Sequence, residues 1–444
     1  MTTLVRFAPS PTGLLHVGNA RPAIANYLFA RRHGGQFLLR LDDTDRERSR
    51  PEFADAIEQD LAWLGIQWDV KLRQSDRLDL YATAAERLKA TSRLYPCFES
   101  EQELKAKREY RLKRKLPPVY DRAMLKLTPE QREAAERSGK KPYWRFLLSD
   151  TEVTWQDLVQ GQRRVKLPTV SDPVVIRSDG MPLYTFTSVV DDIDTGVTHV
   201  IRGDDHVTNT AVQIDLAHAL SATRTPDYAH LPLLIGAEGE KLSKRIESLT
   251  LRGLRNDGIE PVALTAYLAR LGTADDPAPL SLEELAATFD LARASHAPAR
   301  FDPQQLLGLN RRVLHTLPFG AVSERLPPGA TERFWLAIRG NIDLLSEARG
   351  WWDVVAGIIV PPVIGGARDF LSAAQELLPP EPWDDAVWST WTQALRERTG
   401  RKGRELFRPL RLALTGEEQG PELRELLPLI GRARAAERLR EAAN

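Results

Sequence analysis

The chain has 444 residues, of which 42% are hydrophobic and 27% are charged, a composition typical of folded proteins that face water. This length favours two to four domains over a single core. The sequence contains no apolar run of about 18 residues, so we expect no transmembrane helix. Its first residues lack the pattern of a secretory signal. We therefore expect a cytoplasmic protein that has no membrane partner.

Cysteine content and charge further limit the classes of protein and of binding site that the sequence allows. Cys97 is the only cysteine, which excludes an intrachain disulfide and a zinc site built on several thiolates. The chain has 61 basic and 61 acidic residues, whereas phosphate binding favours an excess of basic residues. Basic clusters nevertheless occur at 105–115 and 432–440. A solvated helix face is the alternative explanation of each cluster.

The first 90 residues predict an alternation of strands and helices. The predicted elements are a strand at 4–7, a loop at 8–13, a helix from Asn19 to Gly34, a strand at 37–41 and helices at 52–64 and 78–92. Asn19 is a favourable N-cap and Gly34 a favourable C-terminal residue for the first helix. This order is typical of the α/β class, with a Rossmann-like, doubly wound parallel sheet.

The middle of the chain departs from this alternation. Between about 95 and 185, a basic helix and short strand candidates predict an insertion into the sheet domain. The alternation resumes at 183–186, and 197–201 and 213–220 predict a strand and a helix. After residue 244 the pattern is helical to the end of the chain.

The segment 9–18, Pro-Ser-Pro-Thr-Gly-Leu-Leu-His-Val-Gly, joins the first strand to the first helix. A helix start offers free N–H groups and the positive end of a dipole to phosphates. Gly18 leaves room for an adenine near the backbone, and His16 can donate to phosphate oxygens as charge develops. A structural histidine is the alternative, but the surrounding Pro/Gly loop favours the phosphate role.

A second segment, Lys241-Leu-Ser-Lys-Arg245, has two lysines three positions apart. The ammonium groups of Lys241 and Lys244 then face the same side of a turn and can neutralise a triphosphate. An exposed basic loop is the alternative if the segment is considered alone. Its combination with the His16 segment far upstream favours nucleotide-dependent catalysis.

Together the two segments resemble the HIGH-like and KMSKS-like motifs of class I aminoacyl-tRNA synthetases. The finer sequence resembles the glutamyl-tRNA synthetase family over nearly the whole chain. The matching segments include Arg-Phe-Ala-Pro-Ser-Pro-Thr-Gly at 6–13, Arg-Leu-Asp-Asp-Thr-Asp at 40–45, Val-Val-Asp-Asp at 189–192, Val-Ile-Arg-Gly at 200–203 and Arg-Leu-Ala-Leu-Thr-Gly at 411–416. The resemblance implies ATP-dependent ligation of L-glutamate to tRNA through a glutamyl-adenylate.

The resemblance also implies a division into domains. Residues 1–80 and 185–240 are expected to form the Rossmann-like catalytic domain, interrupted by an inserted domain at 81–184 that binds the tRNA acceptor end. Residues 241–310 are expected to carry the KMSKS-like loop and to contact the tRNA stem. Residues 311–444 are expected to form an all-α anticodon-binding region. The family default is a monomer.

The same resemblance assigns site residues. The catalytic set is His16, Lys241 and Lys244, and the ATP-binding set is Gly13, His16, Gly18, Asp205, Lys241 and Lys244. The glutamate-binding set is Arg6, Ala8, Ser10, Asp42, Tyr184, Ser188 and Arg202. Arg6 and Arg202 are the expected carboxylate partners, because a guanidinium offers two parallel charged hydrogen bonds. Asp42 is expected to hold the substrate ammonium group.

Two positions depart from the family pattern. Asp42 stands where the family has a glutamate, which shortens its reach by one methylene, and Ser188 stands where some members have asparagine. An alternative for the first acidic cluster is an internal salt-bridge network of Arg40, Asp43 and Asp45. Mg²⁺ is expected to arrive with ATP. No zinc is expected, because only Cys97 stands near the Cys-rich motif of some members.

Three other functions are compatible with parts of the sequence. A glutamyl-queuosine tRNA synthetase shares the catalytic half but lacks an anticodon-binding region, which the match at 411–416 disfavours. A small-molecule nucleotidyltransferase leaves the long helical region unexplained. A non-catalytic tRNA-binding paralogue is disfavoured by the intact His16 and Lys244 motifs, while Asp42 and Ser188 keep it open.

Overall fold

The computed structural model describes residues 2–240 and 249–443. The chain divides into two compact units, the first comprising Met1–Leu254 and Leu264–Asp302, and the second Arg255–Ala263 and Pro303–Asn444. In the described part of the chain, every helix is too short or too polar to cross a lipid bilayer.

The first unit is built on a seven-stranded sheet. The strands of the described residues are β1 (Leu4–Phe7), β2 (Gln36–Leu41), β3 (Val70–Arg73), β4 (Leu94–Cys97), β5 (Tyr143–Phe146), β6 (Glu152–Asp157), β7 (Gly161–Lys166), β8 (Val174–Ile176), β9 (His199–Gly203), β10 (Asp227–Leu231), β11 (Leu234–Gly236) and β12 (Ala299–Phe301). The main sheet has the order β3-β2-β1-β9-β10-β6-β7. Its neighbours pair in parallel except for β7, which runs antiparallel to β6. The predicted doubly wound α/β fold is confirmed.

Helices flank this sheet and form the rest of the chain. Their bounds are α1 (Val17–Arg32), α2 (Pro51–Trp63), α3 (Leu78–Ala90), α4 (Glu101–Lys113), α5 (Pro129–Arg137), α6 (Tyr184–Thr195), α7 (Val207–Ala219), α8 (Leu251–Asp257), α9 (Pro261–Arg270), α10 (Leu282–Thr288), α11 (Pro303–Leu314), α12 (Glu332–Ile338), α13 (Ala348–Ala356), α14 (Arg368–Glu376), α15 (Val387–Thr399), α16 (Arg404–Thr415), α17 (Leu423–Ile430) and α18 (Arg432–Ala443). The helices predicted at 52–64 and 78–92 are α2 and α3. The helix predicted at 213–220 begins earlier, at Val207.

The strand order locates the place where a ligand is expected. From β1 the sheet continues to β2 and β3 on one side, and from β9 to β10 on the other. In open α/β sheets, ligands bind beyond the carboxyl ends of the strands at this reversal of order. Because β1 and β9 pair in parallel, with Val5 opposite His199, their carboxyl ends lie side by side. The switch point therefore lies at the ends of β1 and β9.

The predicted insertion contributes to two sheets. Strands β4, β5 and β8 form a separate antiparallel sheet. Strands β6 and β7 instead extend the main sheet, because β6 pairs in parallel with β10 through Asp157 and Tyr228. The sequence pattern predicted an insertion but not this junction. The domain boundary at 81–184 stays a prediction.

The predicted all-α region is confirmed, since every regular element between 303 and 443 is helical. Its core contains the fully buried Trp335 and Trp391. The indole N–H groups donate to the carbonyls of Leu317 and Ala374, each at 2.9 Å. Both rings therefore bury their apolar surface without leaving a polar donor unsatisfied.

The start of α1 differs from the sequence prediction. The N-cap is His16, whose Nδ1 accepts a hydrogen bond from the Gly18 backbone N–H at 3.0 Å. Asn19, predicted as the cap, is the third helical residue, and its Oδ1 accepts from the His16 N–H at 3.4 Å. The prediction was wrong because this reciprocal capping box uses an imidazole where Ser, Thr, Asp or Asn usually stands.

The turn between α1 and β2 generates a stability prediction. A Cβ at Gly35 would clash with the backbone carbonyl of Thr3. Gly35→Ala should therefore lower the free energy of unfolding by about 1–3 kcal/mol, as overpacking does. The control is Gly308→Ala in α11, where a Cβ meets open space and the better helix former should add up to about 1 kcal/mol. Equal thermal unfolding midpoints for the two variants would contradict this account.

Candidate active site

A cleft of about 900 Å³ opens at the carboxyl ends of β1 and β9 in the first unit. The predicted site residues that line it are Arg6, Ala8, Ser10, Gly13, His16, Gly18, Tyr184, Arg202 and Asp205. The structure therefore brings segments from the two ends of the sheet domain into one cavity. This is also the place that the strand order indicates.

The helix cap determines the protonation state of His16, which lines the cleft. Because Nδ1 accepts the Gly18 N–H, the hydrogen-bond network assigns the ring proton to Nε2. Burial lowers the pKa of His16, which favours this neutral form. A Cβ at position 18 would lie 2.8 and 2.9 Å from atoms of the His16 ring. Glycine at position 18 thus also makes room for the cap.

Arg202, at the end of β9, is only 6% exposed. Its Nη1 donates to the Tyr184 hydroxyl at 3.2 Å, and its Nη2 donates to Thr210 Oγ1 at 2.6 Å. These bonds fix the plane of the guanidinium. Tyr184 and Arg202 together can therefore present a fixed polar surface to an anionic ligand.

Arg6, at the end of β1, is 4% exposed and is held by a carboxylate. Its Nε lies 3.4 Å from Asp192 Oδ1. The same Asp192 oxygen accepts from Arg40 Nη1 at 2.9 Å. One carboxylate is thus shared by two guanidinium groups, and Arg40 has further carboxylate partners in Asp42 and Asp191.

Arg40 is the centre of a buried ion network behind the cleft. Its Nε and Nη2 form a bidentate pair with Asp42 at 2.7 and 3.1 Å, and Nη2 also donates to Ser188 Oγ at 3.3 Å. Although burial opposes its charge, the surrounding carboxylates hold the pKa of Arg40 well above its usual value. Burial raises the pKa of Asp42 to about 6, even though Arg40 favours the charged carboxylate.

The position of Asp42 and Ser188 affects their predicted roles. Of the described residues, those that line the cleft include neither of the two, and both are buried beside Arg40. The Asp42 carboxylate is committed to a guanidinium. Direct contact of either side chain with glutamate stays a prediction.

The partners of the acidic residues differ from the predicted alternative. Asp43 accepts from the Ser75 backbone N–H and hydroxyl, each at 2.8 Å, and Asp45 pairs with Arg48. Arg40 instead pairs with Asp42 and with Asp191 and Asp192 of α6. The alternative Arg40–Asp43–Asp45 network is therefore wrong, because Arg40 pairs with a different carboxylate of its own segment and with a helix that local spacing does not connect to it.

Asp191 is a further buried carboxylate that the sequence analysis did not assign. It accepts from Gln74 Nε2 at 2.8 Å, from the Tyr81 hydroxyl at 2.9 Å and from Arg77 Nε at 2.9 Å. A charged group that is fully buried needs such partners. The available signal was the acidic run in α6 next to apolar residues that pack on the sheet.

Several residues of the cleft were also missed. Asp204, His206 and Arg21 line it, and the first two flank the predicted Asp205. Arg21 donates to the carbonyls of Pro232 and Leu271 at 2.5 and 3.0 Å. In the sequence, only its position one helical turn after Gly18 indicated that Arg21 could line the cleft.

Two of the predicted catalytic residues have no structural description. Lys241 and Lys244 lie outside the described residues. Within 2–240 and 249–443, no three His, Cys, Asp or Glu side chains are grouped so as to hold a metal ion. Cys97 is buried, and its Sγ lies 3.8 Å from the Tyr120 hydroxyl. The absence of zinc stays a prediction.

Comparison with known proteins agrees with this geometry. Residues 2–307 match the family described as tRNA synthetases class I (E and Q), catalytic domain, and residues 365–443 match an anticodon binding domain. A protein of Gluconacetobacter diazotrophicus called "Glutamate–tRNA ligase 2" is 63% identical over 99% of both chains. Its namesake in Acidiphilium cryptum is 65% identical, also over 99% of both.

A solved structure is similar over the whole chain. It is a crystal structure of a glutamate tRNA ligase from Elizabethkingia meningosepticum in complex with its amino acid. The TM-score is 0.87 at 26% identity, and the match covers 100% of this chain and 99% of that one. The fold and the cleft are thus those of a class I aminoacyl-tRNA synthetase. Within that class, the chain belongs to the glutamate–tRNA ligase family.

The buried network gives the prediction for this site. Arg40→Met leaves the carboxylates of Asp42 and Asp192 without their central cation. Loss of one partner from a buried ion pair costs about 3–5 kcal/mol, so urea should unfold the first unit of this variant at a much lower concentration.

The control is Arg48→Met, which makes the same chemical change at a pair whose arginine is 74% exposed. Surface pairs contribute at most about 1 kcal/mol, so its urea midpoint should stay close to that of the unaltered protein. Similar losses in the two variants would refute the structural role of the network.

Proposed function

We propose that the protein ligates L-glutamate to tRNA in two steps that consume ATP. The α-carboxylate of glutamate attacks the α-phosphorus, the bond to pyrophosphate breaks, and glutamyl-adenylate forms. A hydroxyl of the terminal tRNA adenosine then attacks the carbonyl carbon of this mixed anhydride, and AMP leaves. The observation that carries the proposal is the single cleft in which Arg6, His16 and Arg202 meet.

The two arginines are proposed to recognise the two carboxylates of glutamate. Both guanidinium groups line the cleft while more than 90% of each residue is buried. In such a setting, water screens a charge less than at the surface, so a bound carboxylate is attracted more strongly. Tyr184, Ala8 and Ser10 complete the proposed amino-acid pocket.

Asp42 and Ser188 are proposed to support the same pocket indirectly, through their contacts with Arg40. Their hydrogen bonds hold Arg40, and Arg40 shares Asp192 with Arg6. The carboxylates of this network are also proposed to attract the substrate ammonium group. This role suits an aspartate that is shorter than the glutamate of the family.

ATP is proposed to bind along the start of α1. The Nε2–H of His16 donates to phosphate oxygens, and Gly13, Gly18 and Asp205 border the nucleotide. Lys241 and Lys244 are proposed to neutralise the leaving pyrophosphate. Mg²⁺ enters with ATP, bound mainly by phosphate oxygens and water, and supplies further charge neutralisation. No protein nucleophile takes part, so positioning and electrostatics provide the catalysis.

The tRNA is proposed to contact both units. Helix α4 carries exposed basic residues within the proposed acceptor-binding segment 81–184, which suits phosphate contacts. The match of 365–443 to an anticodon binding domain supports recognition of the anticodon by the proposed region 311–444. We further propose a monomer that works in the cytoplasm.

Charging assays test the proposed function. With ATP and Mg²⁺, labelled glutamate should become attached to tRNA(Glu), whereas labelled glutamine should not. Adding tRNA(Gln) in a parallel reaction defines the range of acceptors. Periodate oxidation of the tRNA should abolish charging, because it destroys the terminal ribose hydroxyls.

Two of the rival functions predict different results in charging assays. Glutamate that is found on the anticodon fragment and not on the 3′-terminal adenosine after ribonuclease digestion of the charged tRNA would indicate transfer to a modified base and favour the glutamyl-queuosine activity. A folded protein that attaches no glutamate to any tRNA would refute the proposal in favour of a non-catalytic paralogue.

The His16 ring provides a separate prediction, because its two nitrogens have different proposed roles. His16→Asn can keep the cap at the Nδ1 position but has no donor at the Nε2 position. It should lower kcat for glutamate-dependent ATP–pyrophosphate exchange by about 10²–10³-fold, as loss of a transition-state donor does, at nearly unchanged stability.

His16→Gln is the matched variant, because its amide reaches the Nε2 position but does not cap the helix. It should retain more exchange activity than His16→Asn while losing about 1 kcal/mol of stability. Full exchange activity in His16→Asn would exclude the phosphate-donor role.

A further inference from the structure

A hydrogen-bonded series of buried side chains, Thr210, His230 and Asp157, contacts Arg202 in the first unit. Thr210 Oγ1, which accepts from Arg202, lies 2.9 Å from His230 Nε2. His230 Nδ1 lies 2.5 Å from Asp157 Oδ2. Thr210 and His230 are fully buried and Asp157 is 1% exposed. These residues belong to α7, β10 and β6, so three elements converge on one guanidinium.

The strand register brings this hydrogen-bonded series into contact with Arg202. Arg202 and His230 are direct partners in the parallel pair of β9 and β10, so their side chains project to the same face of the sheet. Arg202 Nε lies 3.4 Å from His230 Nε2. The imidazole and the Thr210 hydroxyl thus contact the same guanidinium from neighbouring directions.

The environment of Asp157 keeps its carboxylate charged. Its Oδ1 accepts from the backbone N–H groups of Val159, Gln160 and His230 at 3.1, 2.9 and 3.1 Å. Burial opposes the charge, but these donors and the imidazole lower the pKa of Asp157 to about 2. A carboxylate that already has several donors is a strong acceptor for the imidazole N–H.

The charged carboxylate determines the tautomer of His230. With the proton on Nδ1 facing Asp157, Nε2 has a lone pair and can only accept. Burial lowers the pKa of His230, so the ring stays neutral. The Nε2 lone pair then faces the N–H of Arg202 and the hydroxyl of Thr210. Each of these side chains therefore has a matching donor or acceptor.

We propose that Asp157, His230 and Thr210 are positioning residues that hold the Arg202 guanidinium in the orientation that binds a carboxylate of glutamate. This inference rests on the proposed function. It assigns a role in the amino-acid pocket to Asp157, which belongs to the segment predicted to bind the tRNA acceptor end. Arg202 Nη1 remains directed to Tyr184 at the cleft because the opposite edge of the guanidinium is fixed.

Thr210→Val tests the inference with almost no change in side-chain volume. The variant should raise KM for glutamate about tenfold or more, because a charged donor loses its acceptor. The KM for ATP and kcat should each change less than about threefold, since the loss concerns ground-state binding of one substrate. Thr210→Ser retains the hydroxyl and should restore the unaltered KM for glutamate.

Thr392→Val is the matched control in α15. Thr392 is also buried, but its hydroxyl donates to the Trp388 carbonyl of its own helix at 2.8 Å. The same chemical change should therefore leave the KM for glutamate unaltered. Thermal unfolding and circular dichroism of all variants show whether each is folded.

Asp157→Asn is a second, independent variant that keeps the size of the side chain. Without the charge, the imidazole proton is free to move to Nε2, where it opposes the N–H of Arg202. The KM for glutamate should rise again, and the double variant with Thr210→Val should show less than the product of the two effects, because both act on one guanidinium.

The outcomes separate this inference from the proposed function. An unaltered protein that does not charge glutamate would refute the function and the positioning role with it. If the unaltered protein is active and either folded variant has a normal KM for glutamate, the positioning role alone is refuted. Equal increases of KM for glutamate and for ATP would likewise indicate a general structural effect and overturn it.

Discussion

The parallel pairing of β1 with β9 is the constraint on which the site depends. It brings Arg6 and Arg202, nearly 200 positions apart in the sequence, to neighbouring strand ends of one cleft. Two guanidinium groups that are more than 90% buried repel each other and lose hydration. The surrounding residues must compensate this cost before any ligand binds. The polar networks on the two sides of the switch point provide that compensation.

The cost of burying the positive charge is compensated by different partners at Arg6 and at Arg202. Arg6 contacts Asp192 directly, although Arg40 shares that carboxylate. The hydrogen-bond partners of Arg202 among the described residues are two hydroxyls, a ring nitrogen and a carbonyl. Along these hydrogen bonds, the negative charge nearest to Arg202 is that of Asp157, which contacts the far side of His230. A ligand carboxylate therefore gains more at Arg202, where the guanidinium is oriented but not neutralised.

The sequence predicted local structure better than long-range partners. Helices α2 and α3 agree with their hydrophobic periodicity, because that pattern reports which face of a helix is buried. Strand β2 agrees with a short apolar run, which is typical of a strand buried on both faces. The cleft residues Arg6, His16 and Arg202 were identified through motifs at strand ends and a helix start. Asp42 is a near neighbour of Arg40 in the sequence. The partner of Arg40 on α6 was missed, since it lies about 150 positions away and only the folded sheet brings the two together. Periodicity contains no information about that pairing, or about the junction of β6 with β10.

His16 illustrates how the fold and the proposed chemistry depend on the same atoms. A phosphate donor requires a proton on Nε2, but a free imidazole in water exchanges between two tautomers and a cation. The Gly18 N–H occupies Nδ1 and burial lowers the pKa of the ring, so the helix start itself selects the neutral form with Nε2–H. The selection requires a glycine at position 18, because a Cβ would collide with the ring. The spacing of His16 and Gly18 therefore orients the proposed phosphate donor, in addition to the proposed role of Gly18 in admitting the nucleotide.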